Sequence, residues 1–499
     1  VAVKTYDPKI SVVLRKNIGR GNVAGGVAAS QRYTASPRTI DLTPFLGDRS
    51  SVVTSKSVRE PAGMFSVTLP DRMADGDPVR QFETLYGLIE PMDVIEIRMA
   101  RDTSKYAGYD KNMPMVMRGL VSEVRRQQSM GADGPDRSVV ITGQDYGKIL
   151  QIMQIAYLPN EVTGQNLLTY LSFFVNYGVD AIPNQPAAHF FDQVNTKVIT
   201  KFLDGMRAAS GAAPGQSPIV NITLDATVGD GVVCPIGTIN TYEGTLGGLL
   251  AHYGDVGPWN EMFVEDRETG PFLVYRPTPF KDPSGTVIQA GTGAVAPAVV
   301  SITSDDVVSI TQSRSDSDVA NYYWVEPAHL NMIPPGMLAV EAAHDQSKDR
   351  LYLTDYPNSS PNLYGFRRLQ VQSNQGFRVD GQKESVFQTQ GGLLIDFVTR
   401  RRDVLVQNNR DNVVFESGTM QLKGNESVRA GMTVKLTPQQ GGNGDEHYAV
   451  QVQHEFLPFR SFMTTVSFER GTGFIRRITA GSDNAPYLAE MNVGGVYAQ

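Results

Sequence analysis

Tyr448-Ala449-Val450-Gln451-Val452-Gln453-His454-Glu455-Phe456, followed after Leu457 to Ser461 by Phe462-Met463-Thr464-Thr465-Val466-Ser467-Phe468-Glu469-Arg470-Gly471, is the stretch that decides the fold class. Apolar or aromatic side chains recur at every second position, which places Tyr448, Val450, Val452, His454 and Phe456 on one face and Phe462, Thr464, Val466 and Phe468 on another. Two matched strands with a short loop between them form a hairpin. Working back from it, Met420 and Leu422 alternate with polar neighbours, Val428-Arg429-Ala430-Gly431 is a turn, and Met432, Val434 and Leu436 alternate again before the Gly-rich loop Gln440 to Asp445. The whole run from Gly418 to Gly471 reads as the closing hairpins of a β-barrel.

The bulk composition agrees. A chain of 499 residues is longer than one core usually serves, so two to four domains are expected. Charged residues make up only 19%, and 48 glycines and 29 prolines favour strands and turns over long charged helices. The single cysteine, Cys234, leaves no internal disulfide to form, so packing must hold the fold. No run approaches the ~20 apolar residues of a membrane helix, and Val1 to Arg15 lacks the apolar centre of a signal peptide. A net charge of −7 argues against a dedicated nucleic-acid binder, which needs a basic face, while leaving room for an acidic or neutral wall past which DNA slides.

Short strands are expected at Thr39 to Leu42, Val52 to Val58, Met64 to Leu69, Val94 to Met99, Met115 to Arg125 and Ser138 to Thr142, with a helix over Pro78 to Leu88. The period then changes to a helical one: Leu167, Leu168, Leu171, Phe174 and Val175 form a stripe, and a second helix is expected over Thr196 to Ala209. Strands resume at Trp259 to Val264, Phe272 to Phe280 and Val299 to Ile310, and a helix is expected over Leu393 to Leu405. The fold class is therefore mainly β with α/β insertions. Its divisions are 1–150, a first β-barrel domain; 151–255, an inserted mixed domain; 256–325, the first part of a second barrel; 326–415, an inserted α/β domain; 416–478, the closing strands; and 479–499, a tail.

Several separated segments together resemble one family. They are Pro114 to Val121 with Val139-Val140-Ile141-Thr142-Gly143-Gln144-Asp145; Trp259-Asn260-Glu261 with Pro271 to Arg276-Pro277-Thr278-Pro279-Phe280; Ser313 to Asn321, which carries Asp316 and Asp318; Tyr364 to Arg367; and the closing hairpins with Gly431, His454, Arg470 and Gly471. In this order they resemble the trimeric baseplate hub proteins of phage tails, the late control protein D-like group. The resemblance implies two tail-tube-like β-barrel domains per subunit, so that a homotrimer presents a pseudo-sixfold ring. One face would meet a hexameric tail tube or distal tube protein and the other a trimeric spike, with further baseplate proteins around them. Genomic DNA or tape-measure protein would pass through the channel without specific binding. It also implies a place in the virion tail baseplate, assembly in the host cytoplasm, no membrane segment, and a structural role with no catalytic set, cofactor or metal.

The chemistry-bearing residues fit that expectation. His447 and His454 are seven apart, an odd spacing that sends them to opposite faces of a regular strand, away from a shared metal. Gly143-Gln144-Asp145-Tyr146-Gly147-Lys148 has the wrong spacing for a phosphate loop, with Ile149 where a hydroxyl is needed, and reads as a turn. Gly19 to Gly26 has the wrong spacing for a dinucleotide fingerprint. Asp305/Asp306 and Asp316/Asp318 read as turn residues. Arg125-Arg126, Arg367-Arg368, Arg400-Arg401-Arg402 and Arg476-Arg477 read as solvated runs, some of them facing acidic partners. Two rivals remain: a tail-associated cell-wall or polysaccharide hydrolase, which would need convergent carboxylates, and a receptor-binding tail adhesin.

Overall fold

Alternation in sequence becomes alternation in burial. Lys9–Arg15, Met64–Pro70 and Ser461–Gly471 each hide every second side chain over most of their length, as strands with one face on a core must. The computed structural model describes residues 7–17, 39–71, 84–106, 112–131, 134–155, 185–210, 215, 217–227, 232–233, 244–282, 287–288, 296–327, 353–375, 384–437 and 445–471. Among these the architecture is mainly β, dominated by one 13-stranded sheet.

That sheet contains two units built to one plan. In the N-terminal unit the six longer strands are, in chain order, Lys9–Arg15, Ser51–Ser57, Met64–Pro70, Val94–Ala100, Met115–Gly131 and Gly134–Asp145. Across the sheet they lie in the order first, fourth, fifth, sixth, third, second, and a three-residue strand, Thr39–Asp41, is added beside the first. In the C-terminal unit the six strands are Val299–Thr303, Val307–Ser313, Glu416–Lys423, Thr433–Thr437, Asp445–Leu457 and Ser461–Gly471. They too lie in the order first, fourth, fifth, sixth, third, second. Both units carry a β-bulge in the fifth strand opposite the sixth, between Val121 and Glu123 in one and between Ala449 and Gln451 in the other. They differ in the pairing of first with fourth strand, antiparallel in the N-terminal unit and parallel in the C-terminal one.

The units share an edge. Residues 445–448 of the strand Asp445–Leu457 pair with Thr433–Thr437, and Gln451 to Phe456 on the same strand pair with Ser51–Ser57. Beneath the sheet lie two cores. One gathers Val12, Leu14, Phe65, Val67, Ile97 and Ile141, with Phe456 and Phe462 reaching in from the C-terminal unit. The other gathers Met420, Leu422, Val434, Val452, Val466 and Phe468. Strands of this size bury about 1.5–3 kcal/mol per large apolar side chain.

The bulge corrects one sequence expectation. Phe468 stands opposite Ala449, while Val466 stands opposite Val452, so Val450 is the extra residue. Val452, His454 and Phe456 share the inner face as expected. Upstream of the bulge the inner positions are His447 and Ala449, and Tyr448 turns to the other side. Consequently His447, whose ring lies 4.3 Å from that of Phe468, and His454 face the same way despite their odd spacing. Seven residues along a strand still hold them roughly 20 Å apart.

Other boundaries shift for identifiable reasons. Val299 to Ile310 is broken by a single turn, Ser304–Asp306. The helix expected over Leu393 to Leu405 runs over Glu384–Asn409; Gly391 and Gly392 weaken local propensity without ending it. Thr196 to Ala209 holds a π-turn, Asn195–Ile199, and then the helix Thr200–Ala209, both continuing an earlier helix, Ala187–Val194. Of the helix expected over Pro78 to Leu88, only 84–88 is among the described residues, and Leu85–Leu88 of it is helical. The stripe Leu167 to Val175, the run Gly19 to Gly26, Cys234, Arg476-Arg477 and the tail lie outside them.

Two further bodies flank the sheet. The hairpin Asn260–Arg267/Gly270–Pro277, which the sequence groups with the second barrel, pairs instead with Thr223–Ala226 in a separate three-stranded sheet. It packs with the helices Ala187–Val194, Thr200–Ala209 and Leu246–Tyr253 around Phe190, Phe191 and Tyr275. Elsewhere, Tyr322–Pro327 runs parallel to Arg368–Ser373 beside the long helix, over a core of Trp259, Tyr323, Phe397 and Leu405. Among the described residues no helix is long and apolar enough to cross a membrane.

Candidate functional site: the charged junction of the two units

Three of the family-pattern residues, Asp145, Arg276 and Gly431, meet along one seam, where the hairpin 260–277 is wedged between the two β units, and His454 lines the cleft there. On the N-terminal side, Lys56 from the second strand places its ammonium 2.8 Å from Asp145 and 2.8 Å from Asp266, and 3.1 Å from the Val264 carbonyl oxygen. Three acceptors match the three donors of an ammonium. Asp266 also accepts the backbone N–H of Arg118 at 2.9 Å, and Asp145 that of Gly147 at 2.8 Å. Both carboxylates are fully buried. Burial alone would lower the Lys56 pKa, but the two carboxylates reverse that and hold it raised. Burial, reinforced by Asp266 and opposed by Lys56, pushes Asp145 up to about 6.

On the C-terminal side the hairpin presents Glu261 and Arg276 side by side. Arg276 donates through Nε to Glu261 at 2.6 Å and through Nη2 to the Gly431 carbonyl oxygen at 2.7 Å; the Tyr448 hydroxyl donates to Glu261 at 2.6 Å. The bulge that turns Tyr448 away from the inner face is what delivers it here. Gly431 has φ +82, and a Cβ there would stand 2.7 Å from Arg276 Nη2 and 2.9 Å from Phe263. The position therefore needs glycine both for its conformation and for the approach of the guanidinium. Arg429, two residues earlier, joins all three parts: it donates to the Asp266 carbonyl oxygen at 2.7 Å and to that of Met115 at 2.7 Å.

The remaining pattern residues serve local joints. A Cβ on Gly143 would lie 2.3 Å from Phe65 Cζ and 2.4 Å from the Leu120 carbonyl oxygen, so the aromatic ring lies flat on bare backbone. Trp259 donates its indole N–H to the Arg401 carbonyl oxygen at 3.0 Å, and the Arg401 guanidinium lies 5.0 Å from that ring. Arg470 lies between Phe280 and Phe415 and donates to the Asn408 carbonyl oxygen at 2.7 Å. Pro277 and Pro279 are buried, and Pro279 lines a small cleft with Arg470. Gly471 pairs with Glu416. Asn321 donates to the carbonyl oxygens of Ser359 and Gly365 and accepts from the Arg367 N–H, while Asp316 pairs with Arg367 at 2.8 Å and the Asp318 carbonyl oxygen accepts from Asn412. His454 shares a 3.0 Å hydrogen bond with the Thr464 hydroxyl, and burial, then Arg429, holds its pKa down to about 4.

A cleft with an empty volume of about 440 Å³, partly open to solvent, lies at this seam and includes Lys56, Glu265, Glu426, Arg429 and His454 in its lining. Each of these groups is engaged with protein: Glu265 with Arg267, and Glu426 with the Arg101 N–H and the Tyr106 hydroxyl. The carboxylates singled out in sequence do not converge on it. Asp306 pairs with Arg101 on the turn Ser304–Asp306, and Asp316 lies in the exposed turn after Ser313. Lys148 is buried and donates to the Val121 carbonyl oxygen at 3.0 Å, and the Gly143 to Lys148 segment, read as a turn, is the end of the strand Gly134–Asp145 followed by one turn residue and a helix start, with no lysine to offer a phosphate. Arg401 and Arg402 are buried as well, which corrects their reading as a solvated run. Among the described residues no group of three or more His, Cys, Asp or Glu is placed to hold a metal ion.

Sequence reasoning missed Lys56, Asp266, Glu261, Tyr448 and Arg429. The one available signal is charge inside apolar strands, as with Asp266 in Asn260–Arg267.

No protein-family model and no curated protein sequence matches the chain. Solved structures similar to it include the tail protein from Neisseria meningitidis MC58, at 11% identity and TM-score 0.44 over 93% of this chain and 97% of that one. The 43 kDa tail protein of prophage MuSo2 from Shewanella oneidensis shares 11% identity at TM-score 0.42, over 92% and 96% of the two chains. A prophage tail protein from Listeria monocytogenes shares 9% at TM-score 0.39, over 98% and 100%.

Proposed function

We propose that the protein is the structural hub of a phage tail baseplate: a homotrimer that fits a sixfold tail tube on one face and a threefold spike on the other, around a channel for DNA or tape-measure protein. The observation that carries this is the repeated strand order. Two units with the order first, fourth, fifth, sixth, third, second, each with a bulge in the fifth strand, occur in one chain and are joined edge to edge through Asp445–Leu457 and Ser51–Ser57. Three such chains carry six like units, and a contact between rings closes only when their rotational orders match.

In this reading 1–150, with 299–313 and 416–478, supply the two tube-like units, and the segments between them, the hairpin 260–277 included, are insertions that meet other baseplate proteins. The buried charges at the seam, among them Asp145, Arg276, Gly431 and their partners, fix the angle between units instead of binding substrate. With a net charge of −7 the chain offers phosphates no general attraction, which suits transit without specific binding. Its place would be the virion tail, after assembly in the host cytoplasm.

The test is the mass of the purified assembly followed by averaged particle images. The expected result is a trimer whose ring shows six similar lobes; a stable monomer, or a ring without the sixfold modulation, would refute it.

A further inference from the structure

The joint inside one chain is a template for the joint between chains. In the N-terminal unit the second strand, Ser51–Ser57, is covered along its outer edge by Gln451 to Phe456 of the fifth strand of the C-terminal unit. In the C-terminal unit the second strand, Val307–Ser313, pairs with Glu416–Lys423 on one side only, among the described residues, and every residue from Val308 to Ser313 is exposed. The fifth strand of the N-terminal unit likewise outruns the fourth, though the sixth accompanies it to Gly131. Beyond Val121 its outer edge has no strand partner among the described residues, and most side chains from Ser122 to Met130 are exposed. One chain thus carries an open second strand and an open fifth strand, the pair of elements that it joins internally.

The registers give residue-level equivalences. Thr54 stands opposite Phe65, and Phe65 opposite Gly143, which is opposite Val121. In the other unit Gln312 stands opposite Gly418, and Gly418 opposite Phe468, which is opposite Ala449. Gln312 therefore corresponds to Thr54 and Ile310 to Val52. After the bulges, Glu123 corresponds to Gln451, Arg126 to His454 and Gln128 to Phe456. The difference in burial follows: Val52 is fully buried under the internal joint, while Ile310, its counterpart, is 38% exposed.

We infer that Val307–Ser313 is the subunit interface, and that its occupant is residues 123–128 of the strand Met115–Gly131 from a second copy of this chain. Transferring the internal register, in which Glu455 faces Val53 and Phe456 faces Val52, sets Gln127 of one copy against Thr311 of the next and Gln128 against Ile310. The inference rests on the ring reading above and adds to it the strands that close the ring. The contact is head to tail and not two-fold, so repeated through the same rotation as the internal joint it closes a ring. It also covers an uncharged edge strand that would otherwise pair indiscriminately.

The experiment uses the full chain with Cys234→Ser, carrying either Gln127→Cys or Thr311→Cys, the two proteins mixed and oxidised. Directly opposed strand residues place Cβ atoms about 4.5–5.5 Å apart, near enough for a disulfide after small adjustment. A covalent dimer in the mixture and none in either protein alone is the expected result. Ile310→Lys, at an exposed position where folding tolerates charge, should convert the trimer to monomer with unchanged circular dichroism. If the wild-type protein is a trimer but shows neither the cross-link nor sensitivity to Ile310→Lys, this interface is wrong and the hub reading survives. Should Thr311→Cys cross-link to itself, pairing is two-fold and the inference fails; if the wild-type protein forms no trimer, the hub reading fails first.

Discussion

Replacing Lys56 with methionine tests the seam most directly. The substitution keeps the unbranched stem and removes the charge, leaving Asp145 and Asp266 buried together without their shared cation. Breaking a buried pair by deleting one partner costs about 3–5 kcal/mol; Lys56 is 17% exposed, which puts the expectation at the lower end, about 3 kcal/mol. The sign with pH follows from Asp145, whose folded pKa of about 6 lies above its unfolded value of 3.8. A raised carboxyl contributes stability that is present below the unfolded pKa and lost as pH rises through the folded one. Without Lys56 the carboxyl is raised further, so Lys56→Met should lose most stability at pH 7.5 and recover part of it at pH 5. Urea unfolding followed by circular dichroism at both pH values measures this. An identical urea midpoint for wild type and variant at pH 7.5, or a difference that does not narrow at pH 5, would refute the argument that the lysine neutralises two desolvated carboxylates.

His454→Asn removes a buried imidazole whose pKa is held down to about 4 from 6.5. Such a histidine contributes stability that is present above pH 6.5 and lost as pH falls toward 4, on the order of 3 kcal/mol in all. The wild type should therefore lose that much relative to the variant between those limits, read as the difference of their acid unfolding curves. Gly143→Ala should cost about 3 kcal/mol. Adding Phe65→Leu should restore less than half of it, because the Leu120 carbonyl oxygen at 2.4 Å remains in the way; full recovery in a double-mutant cycle would show that the ring alone sets the constraint.

How much of this was legible in the sequence depended on range. Phe462, Thr464, Val466 and Phe468 could be placed on one face because their period of two is local, and the inner core keeps them there. Tyr448 could not, since a bulge adds one residue without altering the alternation of letters. The mainly β architecture was readable from short alternating runs and turn residues. The partner of the hairpin 260–277 was not: Thr223–Ala226 is a four-residue parallel strand whose pairing depends on the helices that carry it back. Lys56 is illegible for a similar reason, as its carboxylates lie 89 and 210 positions away and no local pattern announces that meeting. His454 was named as a pattern position, but its burial against Thr464 is a product of the hairpin register.

The shared edge has a consequence for synthesis. Ser51–Ser57 leaves the ribosome early, yet the segment that covers it, Gln451 to Phe456, is translated roughly 400 residues later, about 20–80 s at ordinary elongation rates. Throughout that interval the nascent N-terminal unit holds a naked β edge bearing Lys56, a charge of the kind that discourages adventitious pairing. The cation that later locks the seam can thus act first as its guard, and chains stalled before residue 450 should be the species that chaperones retain.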